Sequence, residues 1–343
     1  MIDVDITERQ KKVLYCIVQE YINTKVPVSS KKVLENATLD RSSATVRNDM
    51  NRLMKFGYIY QPHTSAGRIP TDKGLRFYVN ELMKIREEIK ARSNYVDTAS
   101  AFPIGDMEKV LIGAAKLLSS STKGMVIIEK PSPLNLRINR IVVTSVSKNF
   151  SIVNIITTLG LSSSIPVQHG EIPDIGSIEE ILNKIMKGLT LNEFKTKLRE
   201  IILRTNSFKD FNFIQLEKGF LEITEKLSIE SYEDYLTEGV SNLLMNDRIS
   251  LRKLQSILNY VSGEAFYKDL FELNNNIYIG KEHGLRFLDD FSILIGEFYS
   301  ESITIGRVAI IFDKYGKYDY IIDSFDFMTN RLTEYFTVVS RSV

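Results

Sequence analysis

Residues 42–74 read SSATVRNDMNRLMKFGYIYQPHTSAGRIPTDKG, and this stretch decides the architecture of the N-terminal part of the chain. Ser42 or Ser43 suits a helix N-cap and Gly57 a C-terminal stop, and between them Val46, Met50 and Leu53 recur at helical spacing. Tyr58-Ile59-Tyr60 then opens a strand, His63 to Gly67 makes a polar tip, and Arg68-Ile69 returns. A helix followed at once by a short hairpin of this kind is the second half of a winged helix-turn-helix.

The residues upstream supply the first half. Thr7-Glu8-Arg9-Gln10 is a capping-box pattern, and Leu14, Ile17, Val18, Tyr21 and Ile22 give one apolar helical face. Asn23-Thr24 and Pro27 end that helix, and Ser29 or Ser30 caps a short second one running to about Asn36. A supporting helix, a short helix, a turn and a third helix make a helix-turn-helix. Downstream, Thr71 caps a long helix in which Leu75, Tyr78, Leu82, Ile85 and Ile89 recur at a period suited to packing on another helix. That partner could lie within the chain or across a dimer, and ordinary core packing explains the period equally well.

Projection of the third helix at about 100° per residue turns Val46, Met50 and Leu53 inward. Ala44, Asn48 and Asn51 fall on the opposite face, flanked by Thr45 and Arg52 on one side and Arg47 on the other. Arginine can bond guanine bidentately, asparagine can bond adenine, and alanine or a threonine methyl can touch thymine. Ser42, Ser43 and the first helical amides suit a phosphate oxygen. The wing residues His63, Thr64, Ser65, Gly67 and Arg68 are polar or small and end in a cation, which suits phosphate or minor-groove contact. Asp49 lies toward the buried side, as a structural ion-pair or capping partner.

Charge agrees with this reading without carrying it. Residues 1–92 hold 17 Lys and Arg against 11 Asp and Glu, whereas the whole chain of 343 residues has a net charge of only +1. A basic end on a mildly acidic body fits a nucleic-acid reader. Hydrophobic content of 43% and charged content of 25% are ordinary for a globular chain. No run approaches the ~18 apolar residues of a membrane span, and the acidic start Met1-Ile2-Asp3-Val4-Asp5 is no secretory signal. The single cysteine, Cys16, excludes an intramolecular disulfide and reads as a packed thiol. His63, His169 and His283 are too dispersed for a metal cluster, so no metal or cofactor is expected, and the expected setting is the cytoplasm.

Residues 93–106 read as a linker. Beyond it come a helix over Met107–Leu118, strands at Met125–Glu129, Ile138–Val146 and Phe150–Thr157, and a helix at Ser177–Lys187. Residues 191–273 read as largely helical, strands return at Ile277–Ile279, Ser292–Tyr299 and Ile303–Phe312, and a helix follows from about Tyr318. The expected fold class is therefore α+β and multidomain. It comprises a winged helix-turn-helix (1–92), an α/β domain (107–190 and 274–343) and a mainly helical insertion (191–273).

SSATVRNDM (Ser42–Met50), GYIYQPHTSAGRIPTDKG (Gly57–Gly74) and RFYVNEL (Arg76–Leu82) closely resemble the heat-inducible transcription repressor family HrcA. Leu75 and Asn80 depart from the family pattern, away from the proposed reading face. The resemblance thins but continues through Tyr235–Gly239, Asn242–Leu244 and Ile279–Glu282, and it breaks at Phe312–Tyr320. It implies a GAF-like α/β domain and a dimerising role for the insertion. It also implies repression of heat-shock chaperone operons through an inverted-repeat operator of the CIRCE type, by a homodimer that depends on a GroEL-type chaperonin.

Two other classes draw on the same residues. A GAF-like domain could sense a small effector, making the chain a ligand-responsive repressor. An enzyme would have to use His169 with Glu171 or His283 with Glu282. Neighbours on a strand face opposite ways, and no phosphate loop or nucleophile elbow accompanies either pair. The expectation is no enzyme.

Overall fold

The computed structural model describes residues 6–36, 43–64, 66–92, 107–131, 136–159, 162–170, 175–190, six positions between 193 and 222, and 235–342 except 247, 275 and 301. Ser42, Ser65, the expected linker and most of residues 191–234 lie outside them.

The N-terminal domain follows from its caps and apolar faces. Helix α1 (Glu8–Thr24) opens on the expected box: Gln10 N–H donates to Thr7 Oγ1 at 3.3 Å, and Thr7 N–H donates to Gln10 Oε1 at 3.1 Å. Its residues Leu14, Ile17, Val18, Tyr21 and Ile22 are buried. Helices α2 (Ser30–Asn36) and α3 (Ser43–Lys55) follow, and Val46, Met50 and Leu53 of α3 enter the shared core. Gly57 ends α3 at φ 75°; its N–H bonds Met54 O and the Tyr58 N–H bonds Leu53 O, both at 3.0 Å. That pair of bonds is a Schellman cap, which needs the left-handed backbone that glycine takes without strain. Strands β1 (Ile59–Tyr60) and β2 (Ile69–Pro70) pair antiparallel as the hairpin. Helix α4 (Asp72–Arg92) starts at Thr71, whose Oγ1 accepts the Gly74 N–H at 3.2 Å.

The remaining described chain forms two sheets. In chain order its elements are α5 (Met107–Thr122), β3 (Met125–Glu129), β4 (Ile138–Ser147), β5 (Phe150–Thr157), β6 (Ser162–Gln168), α6 (Ile175–Met186) and β7 (Tyr235–Glu238). Then come α7 (Leu251–Val261), α8 (Glu264–Phe271), β8 (Ile277–Ile279), β9 (Phe291–Ser300), β10 (Ile303–Asp313) and α9 (Tyr318–Ser342). The larger sheet is antiparallel in the order β7-β3-β10-β9-β8. Its central strands bury both faces, and strand alternation sorts the cores. Val126, Ile128, Val308 and Ile310 face α5, α9 and the N-terminal domain. Ile127, Ile293, Ile295 and Ile311 face α7 and α8.

The sheets divide the chain at places other than 191 and 273. Strands β4, β5 and β6 form a separate sheet with their own core against α6, and Phe194 belongs to that core. Conversely, β7, α7 and α8, expected in the insertion, belong to the five-stranded body. Among the described residues, the part between β3 and β7 that lies outside the five-stranded body is the three-stranded sheet with α6. Two strands escaped the sequence reading. In β6 the run SSSIPVQ holds three serines and a proline, tolerable because it is an edge strand; β7 is a four-residue edge strand.

Candidate nucleic-acid interface

Burial of Val46, Met50 and Leu53 against α1 and α2 fixes which face of α3 points outward. Ser43, Ala44, Arg47, Asn48, Asn51 and Arg52 are exposed and Thr45 is half-buried, so the described part of the expected reading face is presented to solvent. Asp49, 1% exposed, lies on the inner side: Arg9 Nε donates to Oδ2 at 2.7 Å and Arg9 Nη2 to Oδ1 at 3.0 Å. The bidentate pair ties α1 to α3, removes the one acidic side chain of α3 from the reading face, and holds the Arg9 guanidinium above its ordinary pKa. Among the described residues, no carboxylate pairs with Arg47 or Arg52.

The wing is held rigid by contacts that its composition did not announce. Gln61 Nε2 donates to Thr64 O at 2.8 Å and to Ala66 O at 2.9 Å, and the Ala66 N–H donates to His63 O at 2.9 Å, closing the tip. Val28 and Arg68 exchange both backbone bonds, at 2.9 and 2.8 Å, so the returning strand is stitched to the segment before α2. Gln61 was not among the expected site residues; its role rests on local bonds to carbonyls three and five residues on, inside the hairpin. His63 and Thr64 are exposed at the tip; Gly67 and Arg68 are half-buried at the base.

Helix and wing converge at Arg68. Its Nη2 lies 3.5 Å from Asn51 Oδ1, a long contact, and its Nη1 donates to Ala66 O at 3.2 Å. Its Nε is buried without a partner, and burial, then the nearby Arg47 charge, lower the guanidinium below its usual pKa. A cation so placed gains from an incoming anion. Gly67 makes the approach possible, since a Cβ there would lie 2.5 Å from the backbone of Pro27 and Val28. Gly67→Ala is therefore expected to cost about 1–3 kcal/mol in urea unfolding. It should weaken DNA binding further, because the wing must shift to admit the methyl group; an unchanged midpoint would contradict this geometry.

The histidines read as candidate acid–base groups are structural. His283 Nδ1 accepts from Leu285 N–H at 3.0 Å and its Nε2 faces Leu288 O at 3.2 Å, while Glu282 binds Arg76 and Ile279 N–H instead of the imidazole. His169 is bonded to Ser151 Oγ at 2.8 Å and Gly170 O at 2.7 Å, and Glu171 lies outside the described residues. Cys16 is buried, and burial raises its thiol pKa, as suits a packed side chain.

Three helices and a wing beside an antiparallel α+β body have the arrangement of a winged helix-turn-helix protein. Comparison with known proteins makes the class specific. Residues 108–322 match the family described as HrcA protein C terminal domain. The chain is 40% identical to the heat-inducible transcription repressor HrcA of Thermotoga petrophila over 98% of its own length and 96% of the relative's. It is 29% identical to that of Acetivibrio thermocellus over 96% and 95%. A crystal structure of a hypothetical protein at 2.2 Å resolution superposes with a TM-score of 0.65 and 38% identity, covering 98% of this chain and all of the other. The chain belongs to the HrcA family of heat-inducible transcription repressors, and it is a DNA-binding regulator, not an enzyme. No helix among the described residues is long and apolar enough to cross a membrane.

Proposed function

We propose that this repressor binds an inverted-repeat operator of the CIRCE type as a homodimer in the cytoplasm and silences heat-shock chaperone operons. The observation that carries the reading is the outward face of α3. Arg47, Asn48, Asn51 and Arg52 are exposed without a carboxylate partner among the described residues, beside the half-buried Arg68 of the wing. A twofold dimer and a palindromic site express the same geometry. We assign base contacts to Ala44, Thr45, Arg47, Asn48 and Asn51, and backbone contacts to Ser42, Ser43, Arg52, His63, Thr64, Ser65, Gly67 and Arg68. The five-stranded body, read as GAF-like, and the chain between β3 and β7 are assigned to dimerisation and to response.

Dependence on a GroEL-type chaperonin makes folding the sensed variable. When unfolded protein occupies the chaperonin, the active repressor fraction falls and the operons are expressed. Footprinting on an inverted-repeat operator tests the DNA assignment, with two protected patches expected, symmetric about the dyad. A single patch, or protection independent of sequence, would count against a dimer reading a palindrome. Refolding from denaturant tests the second part: recovery of operator binding should rise with chaperonin and ATP, and equal recovery without them removes that dependence.

A further inference from the structure

The reading head is bolted to the body along one face of α4, through residues that lie outside the proposed DNA interface. Asp72 Oδ1 accepts from Lys314 Nζ at 2.9 Å and its Oδ2 from Lys281 N–H at 3.3 Å. Arg76 pairs with Glu282, with Nε donating to Oε1 at 3.0 Å, and its Nη2 donates to Ile277 O at 2.6 Å. Arg86 pairs with Asp323 and, at 3.0 Å, with Asp326. At about 100° per residue, positions 72, 76 and 86 fall within a sector of about 80°, with Val79 and Met83 between them. The pairs span about 21 Å of helix. Val79 is buried in the core that head and body share.

A second contact crosses at the start of the head. Tyr315 lies in the short turn between β10 and α9. Its hydroxyl donates to Pro70 O at 3.2 Å, and its ring meets Tyr21 edge-on at 4.8 Å. Lys25 Nζ donates to Tyr315 O, and the Arg248 guanidinium lies 4.5 Å above the ring while pairing with Asp313. Tyr315 is 7% exposed, so the loop is a packed wedge between the domains.

We infer that Asp72, Arg76, Arg86 and Tyr315 are positioning residues that fix the angle of each reading head and so determine the half-site spacing the dimer accepts. The inference rests on the dimeric, palindrome-reading function proposed above. Two heads, each held rigidly on its own body within the dimer, can engage only half-sites that present the groove at one separation and rotation. Loosened heads would keep their base contacts and lose the spacing requirement, because the linkage would then act as a flexible tether.

The test uses the full chain and a series of inverted repeats whose spacer is shortened or lengthened by about 2 or 5 bp, the larger change being about half a helical turn. A single half-site probe accompanies the series. Wild-type affinity is expected to fall on the order of 100-fold at the half-turn change, and that of the Arg76→Met/Arg86→Met variant less than about tenfold. Half-site affinity should stay within about twofold of wild type. Arg76→Lys/Arg86→Lys, which keeps both charges, should retain more of the spacing requirement than the methionine variant. If the methionine variant proves unfolded by its melting curve, Lys314→Glu and Tyr315→Phe replace it. A spacing profile that matches wild type in folded variants overturns the inference. A uniform loss that includes the half-site probe reassigns the pairs to stability and also overturns it. If wild type itself prefers no inverted repeat, the underlying DNA reading fails, and the positioning role fails with it.

Discussion

Replacing Arg47 with alanine is expected to weaken operator binding by about 1–3 kcal/mol, about 5- to 150-fold, while leaving binding to scrambled DNA nearly unchanged. Arg47 is exposed on α3, without a carboxylate partner among the described residues, so its removal breaks no ion pair there and opens no core. It also relieves a like charge acting on Arg68, so folding stability should hold or rise slightly. Loss confined to one base position of each half-site would identify a bidentate guanine contact. Equal loss on every sequence, with a salt slope reduced by about one, would reassign Arg47 to a phosphate. Arg47→Lys separates these outcomes again, since lysine keeps the charge and loses the fork.

Leu53→Ala carries the largest expected cost to folding. Leu53 is fully buried and its carbonyl accepts the Tyr58 N–H that closes the end of α3, so the side chain anchors the reading helix where the wing begins. Truncation should cost about 2–5 kcal/mol in denaturant unfolding, whereas Leu53→Met should cost less than about 1.5 kcal/mol. Because Leu53 belongs to a core that continues into the body, the loss should lower the main unfolding transition, not merely loosen the wing. A cost below about 1 kcal/mol would mean that the site collapses around the gap and that α3 is held elsewhere.

The N-terminal domain was legible because its signals are local. Thr7–Gln10, Gly57 and Thr71 each mark a boundary through hydrogen bonds to residues a few positions away, and the apolar faces of α1 and α3 follow a single period. The solvent-facing side of α3, in its described part, followed from that period alone. What local signals do not carry is which strands share a sheet. The expected divide at 191 and 273 rested on a change from strand-like to helix-like composition. The actual divide depends on β7 pairing with β3 across more than a hundred intervening residues. Edge strands such as β6 need no continuous apolar run, so serines and Pro166 hid it. Arg9 and Tyr315 gain their roles only from partners distant in sequence, Asp49 and Pro70, and no spacing rule reaches that far.

Sequence-specific operator recognition by the α3 and wing surface is the activity proposed for this repressor. It is tested most directly by a mobility shift across a salt series, comparing an inverted-repeat operator with scrambled DNA, with chaperonin present. The expected result is operator binding tighter by about a thousandfold or more, with a steep fall in affinity for both DNAs as salt rises. Equal affinity for the two DNAs at every salt concentration would contradict it.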